Sequence, residues 1–214
     1  MKKELTFYLI RHGRTQWNDA GLLQGMGDSP LTEQGILGAK ATGKALSAVD
    51  FSMAFSSCLQ RTIDTAGYII GERDIPLFQH QGLNEHFFGT WEGADISELR
   101  KLEEFTVMQE NPAEYKASNG GETFGELAER SMKAIQDIIK ISQSGSNILI
   151  VSHGHTLRVL IALMNGISWQ DHRQEGKSEP LRNTSINIVR YVQNTDESQG
   201  RFIVDTVNEL SHLG

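Results

Sequence analysis

Two apolar runs in the sequence each end in a histidine followed by a glycine, and this repeated ending constrains the fold more than any other feature. Residues 5–10 run into Arg11-His12-Gly13, and residues 147–151 run into Ser152-His153-Gly154. Short runs of aliphatic, β-branched and aromatic side chains predict buried strands. If both strands are central and parallel, the two imidazoles emerge at one edge of the sheet, where α/β proteins bind ligands. The alternative is two core histidines that only fill strand ends.

The remaining patterns alternate between helix and strand. Helical periodicity or capping is predicted in five segments: 32–49 with Thr32 as its cap, 59–71, 95–109, 122–142 and the stretch that begins near Thr156. A further strand is predicted at 53–57, and alternating apolar residues at 186–191 and 202–206 indicate two antiparallel edge strands. There is no repeat, low-complexity tract or shift in composition. We therefore expect one α/β domain over residues 1–214, with a mostly parallel sheet.

Charge and cysteine content argue against several classes of protein. The 214 residues carry a formal net charge of -7, without a long run of lysine or arginine. A general nucleic-acid or anionic-membrane surface needs a clustered positive field. Cys58 is the only cysteine, so an intramolecular disulfide is impossible. No stretch approaches the roughly 20 apolar residues of a membrane span. We expect a soluble, cytoplasmic protein that binds neither nucleic acid nor a membrane.

His153 and His155 are spaced like a pair of metal ligands. However, the segments that would have to join them supply more arginines than carboxylates, and cations repel a divalent metal. The sequence therefore predicts no metal site and no cofactor.

The first histidine segment is part of a longer motif. Residues 9–18, LIRHGRTQWN, resemble the signature of the histidine phosphatase superfamily, which comprises the cofactor-dependent phosphoglycerate mutases and their phosphatase relatives. Five further blocks follow in the family's order: GMGDSPLTEQG (25–35), SSCLQRT (56–62), LNEHFFGTWEG (83–93), GGET (120–123) and SHG (152–154). The resemblance implies a three-layer sandwich with a mostly parallel central sheet flanked by helices. It also implies a helical insert, at about 94–120, that covers the active site.

The resemblance implies a role for each catalytic residue. His12 is expected to attack phosphorus and form a phosphohistidine. Arg11 and Arg61 would bind phosphoryl oxygens, and His153 would donate to an oxygen that gains charge in the transition state. Glu85 would protonate the leaving alkoxide and then activate the water that clears the intermediate. The expected substrate- and phosphate-binding residues are Asn18, Thr15, Gln24, Gly154, Phe87, Phe88 and Trp91.

The catalytic residues leave the reaction class open, because water and a second substrate hydroxyl can accept the same phosphoryl group. Mutases of this family hold the substrate carboxylate with extra basic residues after the acid and on the insert. Residues 87–93 and 101–106 of this chain offer aromatics and carboxylates there instead. We therefore expect a phosphatase acting on a small phosphorylated substrate. A phosphoglycerate mutase and a non-catalytic phospho-ligand-binding domain are the alternatives, and a homodimer stays open.

Overall fold

The computed structural model describes residues 2–214 and has a six-stranded sheet at its centre. The strands are β1 (Lys3–Arg11), β2 (Phe51–Ser56), β3 (Leu77–Gln79), β4 (Asn147–Ser152), β5 (Ile186–Gln193) and β6 (Arg201–Glu209). Their order across the sheet is β3-β2-β4-β1-β5-β6. The pairings β3-β2, β2-β4 and β4-β1 are parallel, whereas β5 runs antiparallel to both neighbours. The predicted fold class, a mostly parallel sheet flanked by helices, is confirmed.

The helices form a layer on each face of the sheet. Their bounds are α1 (Gln16–Ala20), α2 (Glu33–Ala45), α3 (Gln60–Ile70), α4 (Ile96–Leu99), α5 (Glu103–Glu110), α6 (Phe124–Ile141) and α7 (Gly154–Met164). Side chains of α2 and α3 pack on one face of the sheet and those of α6 and α7 on the other. Side chains along β1 alternate between the two faces of the sheet. Leu5, Phe7 and Leu9 pack in the core under α6 and α7, and Ile10 packs in the core under α2 and α3. The central strands are thus buried on both faces.

The segment predicted as one helix over 95–109 is two helices, α4 and α5, which are separated at residues 100–102. Leu99, Phe105 and Met108 are all buried in a third core above the sheet edge. In a continuous helix, Leu99 and Met108 would point about 180° apart. The break lets both side chains face the same core. We call α4 and α5 together the cap.

Two short elements were missed by the sequence analysis. The three-residue strand β3 is too short to carry a periodic signal. Helix α1 lies in the segment expected to be a glycine-rich loop, where the Thr15 side chain and Asn18 form a reciprocal capping box. Within residues 2–214, no helix is long and apolar enough to cross a membrane.

Candidate active site

The carboxyl ends of β1 and β4 bring the two histidine segments together. Arg11 pairs with Ser152 across the parallel ladder, and the His12 amide donates to the Ser152 carbonyl at 3.0 Å. The rings of His12 and His153 therefore lie side by side, with centroids 5.2 Å apart. Both side chains are buried. This is the juxtaposition that the two His-Gly endings predicted.

His12 is held as a neutral ring with one free nitrogen. Its Nδ1 lies 2.8 Å from the Gly13 carbonyl, which can only accept, so Nδ1 carries the proton. Its Nε2 has no hydrogen-bond partner among residues 2–214 and carries the lone pair. Burial, then the charges of Arg61 and Arg11, hold the pKa of His12 well below its usual range. A neutral imidazole with an uncommitted lone pair is suited to nucleophilic attack.

Arg61 is anchored beside His12 by the loop before it. Its Nη1 donates to the Gly27 carbonyl at 2.8 Å and to the Asp28 carboxylate at 2.9 Å, and its Nη2 donates to the Gly25 carbonyl at 2.6 Å. These contacts fix the guanidinium although it is almost wholly buried. Its Nε takes no part in them.

Three buried nitrogens around His12 have no hydrogen-bond partner in residues 2–214: Arg11 Nε, Arg61 Nε and His153 Nδ1. Each unsatisfied buried donor costs roughly 1–3 kcal/mol. A phosphoryl group offers several oxygen acceptors on one centre and matches such a cluster of donors. We call these three nitrogens, on side chains that surround His12, the phosphoryl cradle.

Gly154 allows Arg11 to reach this position. A Cβ at residue 154 would lie 3.3 Å from Arg11 Nε and 3.4 Å from its Cζ, which is tighter than ordinary packing. On its far side, Arg11 Nη1 donates to the Leu181 carbonyl at 2.6 Å. Gly154 is also the first residue of α7, so it places a helix N-terminus beside the phosphoryl cradle.

His153 is oriented by Ser57, a residue that the sequence analysis did not single out. The His153 Nε2 lies 2.7 Å from Ser57 Oγ, which is itself 2.7 Å from Thr62 Oγ1. Burial, then the charge of Arg61, lowers the pKa of His153 well below its usual range. Because Nε2 is engaged by Ser57, Nδ1 is the nitrogen left to face a ligand.

The Glu85 side chain lies against the N-terminal turn of α7. Its Oε1 accepts hydrogen bonds from the His86 amide at 2.9 Å and from both the amide and hydroxyl of Thr156 at 3.1 Å, and its Oε2 accepts from the His155 amide at 3.1 Å. Glu85 as a whole is only 5% exposed and lines the same cavity as His12. It is therefore aimed by fixed backbone groups.

Arg130 on α6 fixes the loop that carries Glu85. It donates to the carbonyls of Gly82, Asn84 and Glu85 at 2.9–3.0 Å and pairs with the Glu122 carboxylate. One guanidinium thus binds three carbonyls of a single loop, of which that of Asn84 also accepts from the Thr156 hydroxyl at 2.8 Å. No local pattern in the sequence indicates this role, because Arg130 lies 45 residues from Glu85.

These groups open into a cavity of about 560 Å³. Of the predicted residues, the cavity lining includes Arg11, His12, Asn18, Gln24, Glu85, Phe88 and Gly154. Arg61 and His153 lie behind this lining, around His12. Thr15 is fully buried and does not line the cavity. Its hydroxyl caps α1 and donates to Gln24 Oε1 at 2.7 Å, so it holds Gln24 in place.

Two predicted wall residues are placed elsewhere. Phe87 is 40% exposed and does not line the cavity, because neighbouring side chains of this segment point to opposite sides and Phe88 takes the inward position. Trp91 is buried in the core under the cap, edge-on to Phe105 with centroids 5.6 Å apart. Their assignment to the substrate wall was therefore wrong.

Three arginines that the sequence analysis missed also line the cavity: Arg100, Arg158 and Arg173. They come from the residue after α4, from α7 and from the segment after α7, and not from residues 87–93 and 101–106, where basic residues were looked for in the sequence. Arg158 could have been found, because it lies four residues after Gly154 on one helix and so shares its face. Arg173 has no such local signal.

The described residues, 2–214, contain no group of three or more histidine, cysteine or carboxylate side chains placed to hold a metal ion. His155 is engaged by protein groups: its Nε2 lies 3.0 Å from Arg173 Nη2, and its Nδ1 lies 3.2 Å from His86 Nδ1. A guanidinium has only donors, so Arg173 donates a hydrogen bond to the lone pair of His155 Nε2.

Comparison with known proteins agrees with this geometry. A family model described as "Histidine phosphatase superfamily (branch 1)" matches residues 7–202. The chain is 33% identical over 211 residues to "Probable phosphoglycerate mutase GpmB" of Salmonella choleraesuis, covering 98% of this chain and 95% of that protein. The structure of Bacillus stearothermophilus YhfR has a TM-score of 0.87 at 32% identity, covering 98% of this chain and 100% of that one. The α-ribazole phosphatase from Shigella flexneri has a TM-score of 0.80 at 28% identity, covering 95% and 96%. The chain belongs to the histidine phosphatase superfamily.

Proposed function

We propose that this protein is a phosphoric monoester hydrolase that acts through a phosphohistidine at His12 on small phosphate esters. One observation carries the proposal: a neutral His12 with a free Nε2 is surrounded by three unpartnered buried nitrogens, on Arg11, Arg61 and His153. A tetrahedral dianion fits this arrangement of donors. The chemistry needs no metal or cofactor, because the arginines supply the positive charge. We assign the enzyme to the cytoplasm.

The reaction proceeds in two steps. His12 Nε2 attacks phosphorus, the bond from phosphorus to the ester oxygen breaks, and Glu85 gives its proton to the departing alkoxide. Glu85 then takes a proton from water, whose oxygen attacks the phosphohistidine. The phosphorus–nitrogen bond breaks, inorganic phosphate leaves, and Glu85 is protonated again. His153 and the two arginines stabilise the equatorial oxygens in both steps.

Hydrolysis is favoured over phosphoryl transfer to a second substrate by the size of the cap. It consists of one helix of four residues and one of eight, and Arg100 and Glu110 at its edge line the cavity while exposed to solvent. Water can thus reach a phosphohistidine. The name of the α-ribazole phosphatase supports this reaction, whereas the name of the GpmB relative supports the mutase alternative. A non-catalytic domain is disfavoured because His12 and Glu85 are both present in the site.

Trapping of the intermediate tests the proposal. Enzyme quenched during turnover of a labelled phosphate ester, in the presence of chelator, should carry acid-labile, alkali-stable phosphate. His12→Ala should carry none, and His80→Ala, a histidine outside the cavity, should carry the same amount as the native chain. Label that persists in His12→Ala would refute the assignment of the nucleophile. Transfer of the label to a monophosphate acceptor in preference to water would favour the mutase.

A further inference from the structure

We propose that the outer part of the cavity binds an anionic group on the leaving group of the substrate, a carboxylate or a second phosphoryl group, through Arg158 and Arg173. This inference rests on the proposed function, because it places the scissile phosphoryl group at His12. The two arginines lie outside residues 87–93 and 101–106, the segments in which the sequence offers aromatics and carboxylates instead of basic residues.

The first support is that these arginines contact only neutral acceptors. Arg158 donates from Nε to Ser178 Oγ and from Nη2 to the Ser178 carbonyl, both at 2.8 Å. Arg173 donates from Nη1 to the carbonyl and the side-chain oxygen of Gln109, at 3.2 and 2.8 Å, and from Nη2 to His155. Neither guanidinium lies within 4 Å of a carboxylate oxygen of residues 2–214.

The second support is that both cations are partly withdrawn from water without compensation. Burial, then the charge of Arg158, lowers the pKa of Arg173 to about 9, while Glu85 acts weakly in the opposite direction. Burial also lowers the pKa of Arg158, against a smaller effect of Glu179. Arg173 Nε is buried without a partner in the described chain. Two neighbouring buried cations are unfavourable unless an anion joins them.

The cavity differs from the rest of the molecule in its balance of charge. The chain has 27 acidic and 20 basic residues, so carboxylates are plentiful. Among the other arginines that are buried or half-buried, Arg61 pairs with Asp28 and Arg130 with Glu122, whereas Arg73 on the far side of the sheet donates only to backbone carbonyls. Only two carboxylates line the cavity, Glu85 and the exposed Glu110. The cavity therefore concentrates positive charge in an acidic protein.

Helix α7 gives the spacing between the two anionic groups of the substrate. Gly154 contacts Arg11 at the phosphoryl cradle, and Arg158 follows one turn later on the same face. One turn corresponds to about 5–6 Å along the helix axis. A leaving group with its anionic group only a few bonds from the ester oxygen fits this distance. Arg100, on the exposed edge of the cap, adds positive charge at the entrance.

Binding of uncleavable probes tests the subsite without requiring turnover. Titration calorimetry would compare 3-phosphonopropionate with propylphosphonate, which lacks the carboxylate, and with propane-1,3-bisphosphonate. We expect 3-phosphonopropionate or propane-1,3-bisphosphonate, each of which carries a second anionic group, to bind at least about tenfold more tightly than propylphosphonate. This is the scale of one charge-assisted hydrogen bond. Whether the carboxylate or the bisphosphonate shows the preference identifies the anion.

Variants then locate the preference. Arg158→Gln and Arg173→Gln should each reduce the preference ratio to near one, and Arg173→Lys should restore part of it. Arg201→Gln removes the same charge from an exposed site and should leave the ratio unchanged. Circular dichroism would verify folding of each variant. No preference in the native protein, or a ratio that survives both glutamine variants, would overturn the subsite. If the enzyme hydrolyses phosphate esters but shows no preference among the probes, the subsite is refuted and the proposed hydrolase stands. If it shows the preference but hydrolyses no phosphate ester, the hydrolase alone is refuted.

Discussion

The rings of His12 and His153 lie 5.2 Å apart and are tilted by 59°, at the ends of two neighbouring parallel strands. The two rings share one electrostatic environment, in which burial and the charge of Arg61 keep both neutral. They differ in the nitrogen that each leaves free: Nε2 in His12, because Gly13 binds Nδ1, and Nδ1 in His153, because Ser57 binds Nε2. The two rings thus leave opposite nitrogens free, Nε2 for nucleophilic attack in His12 and Nδ1 in His153.

The tautomer and pKa of His12 can be measured directly. Long-range proton–nitrogen NMR spectra of the histidine rings should show His12 with its proton on Nδ1, the tautomer that the Gly13 carbonyl selects. Because the pKa of His12 is lowered, the ring should stay neutral as the pH falls through about 6.5, the usual histidine value. Titration near 6.5, or a proton on Nε2, would contradict this account of the nucleophile.

Acid should destabilise the fold at pH values where most proteins are still stable. Burial lowers the pKa of five histidines, which are His12, His86, His153, His155 and His172. For His86 and His172 the pKa is lowered to about 4. Below about pH 6.5 the unfolded chain takes up protons that the folded chain does not, so stability is full above this value and falls as the pH drops towards 4. Each neutral histidine contributes roughly 1.4 kcal/mol per pH unit to this loss.

Denaturant unfolding at a series of pH values would measure this slope. His172→Phe should reduce it by about one histidine's share, since the ring already packs 5.2 Å from Phe124. An unfolding free energy that stays flat between about pH 6.5 and 5 would show that these rings ionise without unfolding the protein.

The elements that carry the site were predictable because their signals are local. Strands β1 and β4 are short apolar runs, and the glycines after His12 and His153 mark where each ends. The break in the cap was not predictable from helical periodicity, because the need to bury Leu99 and Met108 together arises only when the third core forms. Tertiary packing there overrides the local pattern.

The site itself was only half predictable, for a related reason. Residues that follow a strand end, such as His12, are placed by local structure. Ser57, Arg130 and Arg173 act through contacts with residues that are 96, 45 and 64 positions away in sequence. Phe87 and Phe88 are identical in type, and only the path of the loop decides which one faces the cavity. Such assignments need three-dimensional information.

Gly154→Ala should impair catalysis with little effect on stability. The new Cβ would lie 3.3 Å from Arg11 Nε and would push the guanidinium away from the phosphoryl cradle. We expect kcat/KM to fall about 10- to 100-fold, the loss of one good charge-assisted contact in the transition state.

Gly67→Ala is the matched control, because a Cβ in that interior position of α3 meets no atom within 4 Å. It should keep full activity and stabilise the protein by about 0.5–1 kcal/mol. Full activity in Gly154→Ala would show that the position of Arg11 does not limit the reaction.

Glu85→Gln tests the mechanism most directly, because the loss should depend on the leaving group. The amide oxygen can keep the hydrogen bonds from His86 and Thr156, although the amide nitrogen then faces the His155 amide, a donor. Without an acid, alkyl phosphates should lose about 10²- to 10⁴-fold in the phosphorylation step. Nitrophenyl phosphate, whose leaving group is acidic, should lose much less.

Single-turnover kinetics would measure that first step, because Glu85 also activates water in the second step and would mask the contrast at steady state. Binding of propylphosphonate to the same variant would separate loss of affinity from loss of proton transfer. Equal losses for alkyl and nitrophenyl esters in the first step would show that Glu85 only shapes the site. The proton would then have to come from another group, and His155, which lines the cavity beside Glu85, would be the next to replace. A loss confined to esters with basic leaving groups would instead identify Glu85 as the acid, since electrostatic or structural damage would slow both classes alike.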